Sequence, residues 1–315
     1  MRIISDSEVQ SRLKLEDLIQ ALESALIEYS RGTAKNILRE LVESAKGTFR
    51  TMSALIEGEG VVGTKQGFLA SEFQGSKADS MSSEITSLYD IHTGKLLALI
   101  NSHYMNQLRT AAVGAISIKH LSNSSSANVG LLGSGLHAKS QLKACLAVRN
   151  IELVKVYSRS KENRESFCEK IEQDVQRTVK VQPVSTADEA LSESDIVIEA
   201  TTARSPVVLG KSLKEGAHVT SISGGRGRTR QIDDTTIKRA SLFAVDSKDQ
   251  MLKDLSGDLV EPIENGILTW DSIVEISDII SKKRAGRRSE KDITVFKTAG
   301  MALFDIAAAK CIFTS

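Results

Sequence analysis

The chain has 315 residues, 41% hydrophobic and 26% charged, a balance that fits a globular protein of about two domains at roughly 150 residues each. With 41 basic against 40 acidic residues the formal net charge is +1, which gives no pull toward nucleic acid or an anionic membrane, and 4% aromatic content offers no base-stacking platform. Apolar runs are as short as Leu96–Ile100, far from the roughly 20 residues of a membrane-spanning helix, so a soluble protein with no membrane partner is expected.

In chain order, the opening MRIISDSEVQ has no signal-peptide core. Leu15, Leu18, Ile19, Leu22, Leu26 and Tyr29 then recur at helical spacing, and Gly32 supplies a stop. From Glu40 to Ile100 short apolar runs broken by glycines predict strands and turns, with a turn at His92–Gly94 feeding a strand. Residues 105–121 predict a helix with Leu108, Ala112, Ala115 and Ile116 on its buried stripe. The polar run SNSSS at 122–126 is a break, read either as a loop or as a domain boundary. Beyond it, apolar segments at 128–132, 153–157, 195–200, 217–222 and 241–246 predict strands, with helices at 137–148 and 161–174. That alternation predicts an α/β fold with a parallel sheet covered on both faces.

Cys145, Cys168 and Cys311 are odd in number and far apart, which argues for a reducing, cytoplasmic setting over a disulfide or thiolate-metal framework. His92, His103, His120, His137 and His218 show no metal-ligand spacing, so no metal is expected.

The predicted strand at 128–132 leads into Gly133-Ser134-Gly135-Leu136-His137-Ala138 and then a helix. In that context G-x-G-x-x-A provides a tight turn, a bare approach for a pyrophosphate and close helix–strand packing, with helix N–H groups facing the phosphates. Roughly 20 residues later, NAD sites usually place a carboxylate against the ribose hydroxyls. Here the tip reads Ser158, Arg159, Ser160 and Lys161, a set suited to a 2′-phosphate, so NADP(H) is expected over NAD(H), with NAD(H) possible. The plainer reading of Arg159 and Lys161 is a pair of solvated loop charges.

Five stretches, QLRTAAVGAISIKHL, GLLGSGLHAKSQ, SDIVIEATTARSPVV, SGDL and DITVFKTAGMAL, occur in one order and spacing. Together they resemble the ornithine cyclodeaminase/mu-crystallin family over nearly the whole chain. The resemblance implies a Rossmann domain with a doubly wound parallel sheet at 119–293, and a smaller α+β substrate-binding and dimerisation domain built from 1–118 and 294–315. It implies an active site between them, a homodimer, and a small amino acid, keto acid or imine substrate that carries a carboxylate.

The resemblance also assigns residues. Lys65 in VVGTKQGF and Arg109 in the helix match the family's active-site lysine and arginine, catalytic and carboxylate-binding, and Arg39 matches a second substrate arginine, without the proline that usually precedes it. From residue type alone, Arg39 and Lys65 read equally as surface charges and Arg109 as a helix-end charge. Cofactor contacts are implied for Thr110, for Gly133, Ser134, Gly135, Leu136 and His137, for Ser158, Arg159 and Ser160, for Thr201 and Thr202, and for Lys297. Asp246 is expected to orient loops, Asp258 to be structural, and Asp305 to contact the cofactor or the domain junction.

The chain departs from the cyclodeaminases at SISGGRGRTRQID, where Gly225 stands at the catalytic aspartate's position. Arg226, Arg228 and Arg230 around that turn offer either an anion site or a solvated loop. The leading expectation is an NAD(P)H-dependent oxidoreductase that passes hydride to an imine or from an amino acid. A cyclodeaminase-type lyase with bound NAD and a non-catalytic NADPH-binding protein are the alternatives.

Overall fold

The computed structural model describes residues 1–70, 83–174, 179–223 and 227–315. Chain contacts divide them into a composite unit, Met1–Ala112 with Gly300–Ser315, and a central unit, Val113–Ala299.

The composite unit opens with β1 (Arg2–Ile4) and α1 (Asp6–Arg12), whose start is fixed by a reciprocal cap between Ser5 and Glu8. The amphipathic α2 (Leu15–Arg31) buries Leu18, Ile19, Leu22 and Leu26 and ends where Gly32 takes a left-handed φ of 83°. The chain continues through β2 (Ala34–Asn36), β3 (Glu40–Ser44), β4 (Gly47–Ile56), β5 (Val61–Ala70), β6 (Ser83–Asp90) and β7 (Leu96–Asn101) into α3 (His103–Leu121). The sheet runs β1-β7-β6-β5-β4-β2, with β3 added on β4; β4 to β7 form an antiparallel meander.

The central unit takes up the second half of α3. It then alternates β8 (Asn128–Leu132), α4 (Leu136–Val148), β9 (Leu153–Tyr157), α5 (Lys161–Asp174), β10 (Lys180–Pro183), α6 (Ala187–Leu191), β11 (Ile196–Glu199) and β12 (His218–Ser221). It closes with α7 (Asp234–Arg239), β13 (Ala240–Val245), α8 (Lys248–Lys253), α9 (Gly257–Glu264), β14 (Ile273–Glu275), α10 (Ile276–Ile280) and β15 (Ile293–Lys297). All eight strands are parallel, in the order β10-β9-β8-β11-β12-β15-β13-β14. The two-residue period of a strand explains the double cover. Ile196 and Ile198 of β11 join a core with α4 and α5, and Val197 between them joins the core on the opposite face.

The last helix, α11 (Ala302–Thr314), returns to the composite unit and packs on α2, β4, β5 and β6. A Cβ on Gly63 of β5 would stand 2.7 Å from Ile306, so that glycine is what lets α11 lie close.

Two boundaries differ from those read in the sequence. The units part inside α3, after Ala112, and SNSSS is a loop within the central unit. A cut at 293/294 would sever β15, which pairs in parallel with both β12 and β13 and so belongs to the central sheet. Among the described residues, no helix is long and apolar enough to cross a membrane.

Candidate functional site

The glycine turn after β8 has three different reasons for its glycines. A Cβ on Gly130 would meet the Ala190 carbonyl oxygen at 2.1 Å, so this residue lets α6 close on β8. Gly133 has φ 116°, and a Cβ there would stand 2.2 Å from the Ala200 carbonyl oxygen; its own N–H donates to Tyr157 O at 2.8 Å. Gly135, by contrast, has nothing within 4 Å of a Cβ position, and as the N-cap of α4 it leaves the helix start without a side-chain cap. Bare backbone, open space and an uncapped helix N-terminus together fit a pyrophosphate. Ser134, Gly135 and Leu136 also border a cleft of about 290 Å³ whose far wall carries Asn163, Ser166 and Lys170 of α5.

At the tip of β9, the Ser158 hydroxyl donates to Ser160 O at 3.0 Å, and the Ser160 hydroxyl accepts from Asn163 N at 3.1 Å. Both hydroxyls therefore shape the entry to α5, and Arg159 is the exposed side chain between them. The sequence reading finds no acid at this tip, but the next residue but one after Ser160 brings one back: Glu162 accepts from the Ser160 hydroxyl at 2.8 Å.

Under the ends of β11, β12 and β15, Glu199 accepts from Thr201 N at 2.9 Å, from the Thr201 hydroxyl at 2.7 Å and from the Ser221 hydroxyl at 2.7 Å. Thr202 is exposed beside them. Lys297 is fully buried: its ammonium pairs with Asp258 at 2.7 Å and donates to Ser221 Oγ at 2.9 Å, to Gln231 Oε1 at 3.2 Å and to Ser223 O. Asp258 in turn accepts from Gln231 N at 2.8 Å and Ile232 N at 2.9 Å. Lys297, expected at the cofactor, is thus an enclosed brace. Asp246 accepts from the Thr298 hydroxyl at 2.5 Å and from Ala299 N at 3.1 Å, fixing the loop after β15.

Of the expected arginine cluster, Arg226 lies outside the described residues, as do Gly224 and Gly225. Arg228 is held by both carboxylate oxygens of Glu264 at 2.8 Å, and Arg230 by Asp234 at 2.5 Å. These two guanidinium groups are thus paired with carboxylates of helices α9 and α7.

The composite unit gathers the other charges. Lys65 on β5 donates to Asn106 Oδ1 at 2.6 Å and Asp305 Oδ1 at 3.2 Å. Arg109, one helical turn beyond Asn106 on α3, uses the same two acceptors, Asn106 Oδ1 at 2.6 Å and Asp305 Oδ1 at 3.1 Å. Arg39 donates to Gly300 O at 3.3 Å, and a Cβ on Gly300 would stand 3.4 Å from Arg109 Nη1 and 3.6 Å from Arg39 Nη2. Gly300 thus lets two guanidinium groups converge. Thr110 follows Arg109 and turns its hydroxyl back to Asn106 O at 2.7 Å.

The sequence singled out Lys65, Arg109 and Arg39, and the structure brings all three together. It missed Asn106, Glu84 and Arg50; Asp305, expected at the cofactor or the domain junction, bridges Lys65 and Arg109 inside the composite unit. Glu84 on β6 lies 3.4 Å from Lys65 and accepts from Arg50 Nε at 2.6 Å. The only local signal was Asn106, three residues before Arg109 on a helix.

Burial pushes the Lys65 ammonium below the ordinary lysine range; Asp305 and Glu84 oppose that and Arg109 and Arg50 add to it. Burial pushes Asp305 up, but Arg109 and Lys65 outweigh it and hold the carboxyl below its ordinary value. Glu84 is likewise held low by Lys65 and Arg50 against its burial. Among the described residues, ion pairs join three cations, Lys65, Arg109 and Arg50, to two shared carboxylates, Asp305 and Glu84, in a nearly dry setting whose chemistry suits an anionic group.

The ornithine cyclodeaminase/mu-crystallin family model matches residues 2–315. The chain is similar to the Δ1-pyrroline-2-carboxylate reductase of Bacillus cereus (strain ATCC 10987 / NRS 248), with 31% identity over 99% of this chain and 96% of that one. Its fold is similar to that of Thermococcus litoralis Δ1-pyrroline-2-carboxylate reductase in complex with NADH and L-proline (TM-score 0.90, 30% identity, 100% of this chain and 97% of that one). It is also similar to an archaeal alanine dehydrogenase dimer with bound NAD (TM-score 0.89, 26% identity, 100% and 95% covered).

Proposed function

The chain belongs to the ornithine cyclodeaminase/mu-crystallin family, and from that premise we propose that it is an NAD(P)H-dependent oxidoreductase that reduces the C=N bond of a small imine carboxylate. The observation that carries this reading is the shared grip of Lys65 and Arg109 on Asn106 and Asp305 with Arg39 alongside.

Arg109 and Arg39 bind the α-carboxylate, whose two oxygens match the planar fork of a guanidinium. Lys65 gives a proton to the imine nitrogen, a step that its lowered proton affinity favours and that general acid catalysis rewards by 10²–10⁴-fold as an order of magnitude. Asp305 and Asn106 hold the two cations in place, so little reorganisation is needed when charge shifts during the reaction. When bound, the reduced nicotinamide supplies the hydride for the imine carbon; the sum is one hydride and one proton added across C=N, with an amine and an oxidised dinucleotide as products. Gly133, Ser134, Gly135, Leu136 and His137 hold the dinucleotide pyrophosphate, with Thr110, Thr201 and Thr202 as further contacts. Arg159 favours NADPH over NADH, and Ser158 and Ser160 position that guanidinium. The cyclic five-membered imine acid is the class favoured by the B. cereus and T. litoralis relatives.

The protein works as a homodimer. Val42, Phe49 and Phe68 are direct cross-strand partners on β3, β4 and β5 and are 66%, 36% and 41% exposed, an apolar row suited to a second copy. Phe49→Asp then yields a monomer by sedimentation; an unchanged mass argues against that face.

The deciding experiment follows NADPH absorbance with Δ1-pyrroline-2-carboxylate, other cyclic imines, and 2-keto acids with amines. Turnover with a cyclic imine is expected. Proline and ammonia formed from ornithine without net NADPH loss would instead reveal a lyase, and NADPH binding with no turnover a binding protein.

A further inference from the structure

The imine-reducing reading explains Lys65, Arg109 and Arg39, yet leaves unexplained why a second buried carboxylate and a fourth cation stand behind Lys65. Glu84 is 5% exposed and lies on β6, outside every motif that marked the site. Its partner Arg50 lies on β4, two strands away.

The sheet register explains how they meet. Gly67 of β5 pairs with Arg50 on one side and with Glu84 on the other. Gly67 carries no side chain, so the row across β5 is open and the long Arg50 side chain spans it, closing on Glu84 Oε1 through Nε and Nη2. Neighbouring strands lie about 4.8 Å apart, so the two-strand span of roughly 10 Å suits an arginine reaching toward a glutamate. Lys65 is two residues from Gly67 on the same strand and therefore on the same face. Charges then alternate along a line: Arg50, Glu84, Lys65, Asp305, Arg109. Lys65 is the one member that touches both carboxylates.

We propose that Glu84, clamped by Arg50 across Gly67, is a positioning residue that anchors the Lys65 ammonium from behind and so presents it, charged, to the substrate. Resting as it does on the reading above, this assigns Glu84 no contact with substrate. Its role is to supply a counter-charge that the reaction leaves in place. Asp305 and Asn106 divide their hold between Lys65 and Arg109. Glu84 is shared only with Arg50 among the charges of this line, so its hold on Lys65 is independent of the arginine that binds the substrate.

Among the described residues, the groups facing Lys65 are Glu84 from β6, Arg50 from β4, Asn106 and Arg109 from α3, and Asp305 from α11. Removing Glu84's charge takes a negative neighbour from Lys65, and removing Arg50 takes a positive one. The two variants therefore act in opposite directions, which a merely structural role would not produce.

The test uses the full chain, with lysine labelled at Cε, and follows the Lys65 signal against pH, assigned by its absence in Lys65→Arg. Glu84→Gln is expected to lower the midpoint by about one pH unit and Arg50→Gln to raise it. Glu84→Asp is expected to return it toward the wild-type value. In parallel, the alkaline limb of kcat/KM for imine reduction moves the same way in each variant, with KM for the imine little changed. A midpoint that stays put in both variants, or moves the same way in both, overturns the proposal even if activity falls. Wild-type protein that reduces no imine overturns the reading of function instead, and the NMR midpoints alone then decide whether Glu84 holds Lys65.

Discussion

Two buried lysines sit in this protein in opposite situations. Lys297 of the central unit is sealed at 0% exposure, matched one for one by Asp258 and backed by Ser221 and Gln231. Lys65 of the composite unit is 4% exposed and shares each of its two carboxylates with a guanidinium, Glu84 with Arg50 and Asp305 with Arg109. Burial alone therefore does not tell a brace from a receptor. The sharing of partners does: a lysine with an acid of its own is closed, whereas one that shares every acid with an arginine can exchange part of its pairing for an incoming group.

The comparison breaks first at Lys65 and Arg109. Replacing either by Ala is expected to lower kcat/KM by on the order of 10²–10⁴-fold while calorimetric affinity for NADPH stays nearly constant. A lost dinucleotide affinity would put these side chains on the wrong ligand. Lys297→Met should act on the other axis. It strands Asp258 without its cation and is expected to destabilise the fold by about 3–5 kcal/mol in denaturant titrations, part of which Asp258→Asn restores. If stability held and only catalysis failed, Lys297 would be a receptor after all.

His218 shares the closed character of the central unit: it is fully buried, and its ring is pushed down to about 3, first by burial and then by Arg287 and Arg149. The folded state keeps this ring neutral while the unfolded state takes a proton below about 6.5. Stability is therefore lost as pH falls from about 6.5 toward 3, with a slope approaching 1.4 kcal/mol per pH unit. His218→Gln should flatten that slope; an unchanged slope would assign the acid sensitivity elsewhere.

The glycine turn gives a paired contrast of smaller size. Gly133→Ala forces a Cβ to within 2.2 Å of a carbonyl oxygen at φ 116°, and is expected to cost about 1–3 kcal/mol of stability. Gly135→Ala meets nothing in the protein and should leave the melting temperature alone while weakening NADPH binding about tenfold, because its methyl enters the phosphate space. The smallest effect is expected for Arg159→Asp, which should weaken NADPH more than NADH by about tenfold; equal losses would end the argument for a 2′-phosphate.

Much of this is legible in the sequence itself. The stripe of α2 and its Gly32 stop, the helix bearing Arg109, and the strand–turn–helix around Gly133 are local patterns, set by residues a few positions apart. β15 escaped because its buried run follows a long loop and pairs with strands far away in sequence. Arg50 and Glu84 were illegible for the same reason. They are neighbours only across an antiparallel meander, and the residue that permits it, Gly67, looks like any other glycine in a strand. Asp305 is visible, and the resemblance puts its segment with the N-terminal strands, but nothing local pairs its carboxylate with Lys65 and Arg109.

The return of α11 makes the composite unit discontinuous in sequence, with the whole central unit inserted into it. Lys65 and Asp305 stand 240 residues apart in the chain, so their pairing requires the two flanks of the composite unit to meet, whereas every strand of the central sheet lies in one uninterrupted run. A cut after residue 299 would leave that run whole and remove the acid that Lys65 and Arg109 share.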